Sequence, residues 1–244
     1  MENPFIKVAQ ITDSHIMPHP QDELHGIKPL DHLNQILKYI AQKDYDFILF
    51  TGDLSHQGDL ASYQLIDEAL SIIKQPIYYI PGNHDLPENL EAILAERYLP
   101  LSHHLVTYHH WQFIAVPTVV PNRNDGLVNS ENLQRLRQQL QESSVDQIVL
   151  VMHHHPISIS PSTDKYKLKN HTELHELLNH KVKLIIFGHV HNDYSFLENQ
   201  IAYHACPSTG FQFTGHETLS VDPKIGYKEY LFYPNHFSVN CIWR

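Results

Sequence analysis

The chain of 244 residues carries 17 Lys+Arg against 27 Asp+Glu, a formal net charge of −10 with histidine neutral. That balance, with no Lys/Arg run, argues against a nucleic-acid polymer as partner, since duplex binding needs cations set against phosphates, and no apolar stretch approaches the ~20 residues of a membrane span. An apolar fraction of 42% and a charged fraction of 18% exclude a disordered, self-repelling chain, and the length suits one domain over residues 1–244.

In chain order, β-rich apolar runs alternate with helical periodicities. A strand is expected at 5–12, then a helix at 30–41 whose Leu33, Ile36, Leu37 and Ile40 share one face. A strand at 46–51 leads to a helix at 60–73, a strand at 77–80 to a helix at 89–97, and a strand at 110–116 to a helix at 130–141. A strand at 147–152, a helix at 172–178 and a strand at 183–187 follow. Beyond Gly188 only short strand-like runs remain, at 194–197, 201–205, 228–233 and 237–242, read as a C-terminal strand cluster (194–244) of the same domain. The alternation predicts an α/β fold, a sheet-rich core flanked by helices. Residues 1–10 lack the basic and apolar regions of an export leader, and Cys206 and Cys241 are expected as reduced, buried thiols. The expected location is therefore cytoplasmic. No oligomer interface stands out.

The anomaly in the composition is histidine, 21 residues spread from His15 to His236. Several stand where strands end. The first strand runs into Thr12-Asp13-Ser14-His15, the second into Gly52-Asp53 and the third into Gly82-Asn83-His84-Asp85. Later strands run into His153-His154-His155-Pro156 and Gly188-His189-Val190-His191. Singly each is weak, because Asp, Asn and Gly are ordinary turn residues and a buried strand-end histidine is more often hydrogen-bonded core than ligand. Together, five strand ends deliver ligand-type side chains to the carboxyl edge of an open α/β sheet, where ligands bind. Two aspartates, an asparagine and several histidines in one crevice leave charge unpaired unless a cation sits among them. Mixed carboxylate and imidazole donors without thiolate suit transition-metal ions, Fe or Mn first, with Zn or Co as alternatives.

Asp13-x-His15, Gly52-Asp53, Gly82-Asn83-His84-Asp85, His153 and Gly188-His189-x-His191, in that order, resemble the five blocks of the calcineurin-like binuclear metallophosphoesterases. The resemblance implies a four-layer α/β/β/α sandwich. Through His153-His154-His155-Pro156, the segment 207–213 and Gly226-Tyr227, the chain is more similar to the bacterial class III cyclic-AMP phosphodiesterase branch. The roles implied are Asp13, His15 and His191 as ligands of one metal, and Asn83, His153 and His189 of the other. Asp53 would bridge them, a carboxylate offering two anionic oxygens to two cations. His84 is implied as the phosphate-side catalyst with Asp85 orienting it, and His15, Asn83, His84 and His191 as the residues facing substrate. The chemistry implied is in-line attack on phosphorus by a hydroxide held between the metals. The substrate implied is a small 3′,5′-cyclic nucleotide, cAMP opened to 5′-AMP. Other diesters, 2′,3′-cyclic nucleotides or phosphomonoesters are the alternative. A noncatalytic scaffold is a third reading, and it is disfavoured because every ligand position is filled.

Other histidines lie outside those blocks. His154 and His155 are candidates to support the ligands from behind. His171 and His175, four apart among Lys169, Glu173 and Glu176, read as a solvated helix face. His103, His104, His109 and His110 read as structural. The segment 19–29 is either a substrate-facing loop or a plain connector.

Overall fold

The computed structural model describes residues 5–104 and 106–244; Met1–Pro4, part of the 1–10 segment read above for an export leader, lie outside the described residues. The elements in order are β1 (Ile6–Ile11), α1 (Pro29–Ile40), β2 (Phe47–Thr51), α2 (Leu60–Leu70), β3 (Ile77–Ile80), α3 (Pro87–Leu94) and β4 (Leu99–Pro100). Next come β5 (Val106–Tyr108), β6 (Trp111–Ala115), α4 (Ser130–Glu142), β7 (Gln147–Val151), the short helices α5 (Pro161–Asp164) and α6 (His171–Leu177), and β8 (Val182–Phe187). The last are β9 (Tyr194–Glu198), β10 (Ile201–Ala205), β11 (Gln212–Thr214), β12 (Ser220–Asp222), β13 (Gly226–Phe232) and β14 (Phe237–Trp243).

Two six-stranded sheets form, in the orders β14-β13-β1-β2-β3-β4 and β5-β6-β7-β8-β10-β9, with β11 and β12 as a separate pair. In the first sheet β1 to β4 run parallel and β13 and β14 antiparallel. In the second, β6, β7, β8 and β10 run parallel between antiparallel edge strands β5 and β9.

The central strands read as unbroken apolar runs because they are buried on both faces. Side chains alternate. Phe47 and Leu49 of β2 meet Phe113, Val149, Val151, Leu184 and Ile186 between the sheets. Ile48 and Phe50, pointing the other way, pack under Leu33, Ile36, Leu37 and Ile40 of α1 and under Tyr63 and Ile66 of α2. On the far side, Ile148, Leu150 and Ile185 pack against Leu136 and Leu140 of α4 and Leu174 of α6. The result is the α/β/β/α sandwich.

Two expectations change. The five ligand-bearing strand ends do not share one sheet: β1, β2 and β3 belong to the first and β7 and β8 to the second. The C-terminal strands form no cluster of their own either, since β9 and β10 extend the second sheet while β13 and β14 extend the first. Periodicity reports which strands are buried and is blind to which sheet they join. β4, β5, α5, β11 and β12, of two to four residues each, are too short to show a period. Of the two thiols, both free, Cys206 is buried as expected and Cys241 only half-buried.

A buried lysine makes one of the polar ties that cross the sandwich. Lys228 of β13 is 1% exposed. Its Nζ lies 2.8 Å from Asp193 Oδ1 and donates to the Tyr194 carbonyl and the Ser195 hydroxyl, two residues and more beyond His191. Asp193 is partly open to water, so the partners are unequal. Asp193→Ala strands a buried ammonium and is expected to cost about 3 kcal/mol, whereas Lys228→Met leaves a carboxylate that water can reach and is expected to cost less. Urea unfolding of the metal-free protein measures that order.

Candidate metal centre

The inward alternation of the strands carries on into the loops that follow them. Val149 and Val151 face the other sheet, and two residues further His153 does the same, its Nδ1 donating to the Thr51 carbonyl at 2.9 Å. Past β1 and β2 the loops run side by side: Asp13 N donates to Gly52 O, His15 N to Asp53 O and Ile16 N to Leu54 O. Asp13, His15, Asp53, His189 and His191 all take left-handed backbone, with φ of 53°, 47°, 50°, 70° and 45°. Such values are uncommon outside glycine, with Asp and His enriched among the exceptions, and a cluster of them marks strain held by its surroundings at a functional site.

The motif glycines are explained by close approach. A Cβ on Gly188 would run into the Thr12 hydroxyl and the Asp13 carboxylate. One on Gly52, at φ 100°, would run into the His153 ring. Each glycine therefore makes room for a side chain delivered by another strand.

The side chains form two groups that meet at Asp53. In the first, His191 Nε2 is 3.0 Å from His15 Nε2 and 3.3 Å from Asp13 Oδ1. Asp13 is held from behind by the His189 backbone N–H, at 3.1 and 2.9 Å to its two oxygens, and by the Thr12 hydroxyl at 2.7 Å. In the second, His153 Nε2 is 3.2 Å from Asn83 Oδ1, and the His189 ring lies with its centroid 5.1 Å from that of His153. Asp53 Oδ2 is 3.6 Å from His15 Nε2 and 3.3 Å from His153 Nε2, so one oxygen faces both groups. The other, Oδ1, accepts the His84 backbone N–H at 2.8 Å.

These donors fit transition metals. The Nδ1 of His153 and His191 are committed to the carbonyls of Thr51 and Phe211, so Nε2 is the atom each ring turns inward and, once deprotonated, could offer to a metal. Asp13, His15, Asp53 and His191 each offer an atom within 4.8 Å of the others. His153, His154 and His189 do likewise.

Charge in the cluster is finely opposed. Burial works against the anion of Asp53, yet His153 and then His15 hold its carboxyl well below the usual carboxylate range. Burial also opposes the cation of His153, and Asp53 overrides it, raising the imidazole to about 9. Burial, reinforced by neighbouring imidazoles, pushes His15, His154 and His189 well below the ordinary histidine value. In the bare chain, therefore, the Asp53 carboxylate is balanced by the His153 imidazolium while His15, His154 and His189 are held neutral.

His84 and Asp85 do not form the expected pair. The His84 Nδ1 donates to the His56 carbonyl at 2.9 Å. Asp85 is wrapped instead by the backbone N–H groups of Leu54, Ser55 and Gly82 and by the Tyr63 hydroxyl. It knots the loop after β2 to the loop after β3, and burial aided by Asp53 pushes its carboxyl up to about 6. Orientation of His84 passes to a residue that the motif reading missed, His56. Its ring stacks on His84 with centroids 5.0 Å apart and its Nδ1 is 3.2 Å from His15 Nδ1. Burial, then His84, lowers it to about 4. The spacing Asp53-x-x-His56, turning a second imidazole back toward His15, was the available signal.

His15, Asn83, His84 and His191 line a 290 Å³ cavity, with Asp53, His56 and His189. Tyr166, Phe211, Phe213 and Leu219 line it too, Phe211 and Phe213 with centroids 4.7 and 4.4 Å from that of His191, and His25 of the 19–29 segment joins them, so that segment does reach the cavity. His154 and His155 lie behind His189, with ring centroids 4.6 and 5.6 Å from it. His154 Nδ1 shares a hydrogen bond with the Thr118 hydroxyl, and His155 sits 3.5 Å from Asp164. His171 and His175 stand edge to face, with centroids 6.0 Å apart, away from this cavity. His103, His104, His109 and His110 are exposed.

The family described as calcineurin-like phosphoesterase matches residues 6–193. A Coxiella burnetii protein named "Probable cyclic nucleotide phosphodiesterase" is 31% identical over 247 residues, covering 100% of this chain and 99% of that protein. A Haemophilus influenzae protein named 3′,5′-cyclic adenosine monophosphate phosphodiesterase is 31% identical over 217 residues, 87% of this chain and 79% of that one. Among solved structures, a dimetal phosphatase from Danio rerio superposes with a TM-score of 0.70 at 12% identity, covering 98% of this chain and 96% of that chain.

Because Gly188 gives way to Thr12 and Asp13, Gly188→Ala is expected to displace the Asp13 carboxylate. Calorimetric titration of the metal-free protein with Mn²⁺ should then show affinity lowered roughly 10–100-fold, the usual cost of disturbing support around a ligand.

Proposed function

The chain belongs to the calcineurin-like phosphoesterase family, and we propose that it is a metal-dependent phosphodiesterase that opens 3′,5′-cyclic nucleotides, cAMP to 5′-AMP. The observation that carries the reading is likeness over the whole length to a relative named for cyclic-nucleotide phosphodiesterase activity. The cavity supports it. It combines the donor set with the aromatic side chains of Tyr166, Phe211 and Phe213, and no Lys or Arg lines it among the described residues. Such a space suits one phosphate and one flat base better than a polyphosphate chain.

In this reading Asp13, His15 and His191 would hold one ion, Asn83, His153 and His189 the other, and Asp53 would serve both. Fe or Mn fits the nitrogen and oxygen donors. Bound there, two such ions would supply Lewis-acid charge to the phosphate and a water nucleophile of lowered pKa. The protein's own part lies with His84 and the aromatic side chains. With Nδ1–H given to the His56 carbonyl, His84 presents Nε2 to the cavity, where the protonated ring can meet the phosphate and return a proton to the departing O3′. Phe211, Phe213 and Tyr166 offer faces for the base. No helix is long and apolar enough to cross a membrane among the described residues. Two free thiols fit the reducing cytoplasm, where we place the activity.

Purified protein is expected to carry two transition-metal ions, and Asp53→Ala to lose both ions and activity; an active Asp53→Ala enzyme would remove the bridging role. His84→Ala is expected to keep its metals and lose roughly 10²–10⁴-fold in kcat. A Mn²⁺-supplemented panel of cAMP, cGMP, 2′,3′-cyclic AMP, linear dinucleotides and phosphomonoesters, ranked by kcat/KM, tests the substrate. Turnover of another ester with cAMP inert overturns the cyclic-nucleotide assignment and leaves the fold untouched.

A further inference from the structure

Three of the inward-facing imidazoles differ in what holds them from behind. His153 and His191 give Nδ1 to carbonyl oxygens, those of Thr51 and Phe211. A carbonyl can only accept, so these two rings carry their proton on Nδ1 without further help. His15 has no such carbonyl at its Nδ1. What stands there is another imidazole, His56, nitrogen to nitrogen at 3.2 Å. One of the two must donate and the other accept. For His15 Nε2 to face His191 and Asp53 as a lone pair, the proton has to sit on His15 Nδ1, and His56 Nδ1 has to accept it.

We propose that His56 is a positioning residue of the centre, its Nδ1 accepting the His15 Nδ1–H and thereby fixing the tautomer and orientation of that ring. The proposal rests on the two-metal reading. His56 is well placed for the task. Its backbone N–H donates to the Ile16 carbonyl at 3.0 Å, one residue beyond His15, so the two loops are registered on each other. Its ring meets His15 edge-on, with centroids 5.3 Å apart at 61°, and lies flat on His84 at 19°. Its own carbonyl receives the His84 Nδ1–H at 2.9 Å. One residue thus supports a ring of the ligand set through its side chain and the phosphate-side ring through its backbone. Only the first contact depends on the imidazole. A side-chain substitution at His56 therefore separates the two, because the carbonyl stays.

Asparagine supplies the control. Its Oδ1 lies as many bonds from Cα as the histidine Nδ1, and it can accept but carries no ring. Phenylalanine does the reverse: it keeps a ring to stack on His84 and has no acceptor. The wild type, His56→Phe and His56→Asn are stripped with chelator, their melting temperatures recorded without metal, and each titrated with Mn²⁺ by calorimetry. The expected result is two ions in the wild type, one site weakened roughly 10–100-fold in His56→Phe, and most of that loss restored in His56→Asn. Unchanged Mn²⁺ affinity in His56→Phe, whatever its melting temperature, makes His56 a packing residue and overturns the proposal. So does a His56→Asn protein as weak as His56→Phe. If the wild type itself binds no Mn²⁺, the two-metal reading falls and this proposal with it; if the wild type binds two and His56→Phe binds them equally well, only the role of His56 falls.

Discussion

Everything at the carboxyl edge of the sandwich depends on a close gathering of buried imidazoles and carboxylates. His15 and His191 turn Nε2 toward each other at 3.0 Å, with Asp13 and Asp53 oxygens close by, in a place where most of these side chains are sealed from water. Such an arrangement is costly for a bare chain, because buried acceptors and anions need a donor or a cation. The single proton shared by Asp53 and His153 answers part of that need and no more. A pair of divalent cations answers all of it, which is why the donor geometry reads as a binding site.

Holding that arrangement takes support from several directions. The backbones of Asp13, His15, Asp53, His189 and His191 are strained, and the loop ladder between β1 and β2 fixes the first three. Asp85 adds a knot of four hydrogen bonds that ties the Asp53 loop to the Asn83 loop. From the second sheet, the His189 N–H reaches across to Asp13, and the Lys228–Asp193 pair anchors the chain just after His191. The apolar layer between the sheets, with Phe47, Phe113, Val149 and Leu184, brings the two edges close enough for this. Packing and polar ties therefore do different work: the first sets the distance between sheets, the second the aim of each side chain.

Much of this was legible in the sequence, and the limits have physical causes. Strand ends announce themselves because a buried parallel strand is a run of apolar residues and its end is the first polar one, so Asp13, Asp53, Asn83, His153 and His189 could be picked out by position. Partition into two sheets could not, since Val149 facing Leu184 and Val149 facing Phe47 leave the same trace in a period-2 pattern. Asp85 looked like a partner for His84 because the two are adjacent, but neighbouring side chains in a tight loop diverge, and this carboxylate turned to backbone N–H groups instead. His56 escaped because its role comes from a turn that folds it back on His15, a contact set by the bridge between Ile16 and Ser55.

The acidic balance of the chain then takes on a local meaning. A net charge of −10 would repel an anionic substrate if charge acted at long range, but exposed charges are screened over ~8 Å at physiological salt. Inside the cavity no Lys or Arg stands against a phosphate among the described residues. In the proposed reading, attraction for a phosphate would come from the metal ions, which would make binding and chemistry a single property lost together with the ions. Part of the histidine excess gathers at this cavity, where imidazoles stand in the places other anion sites would give to arginine.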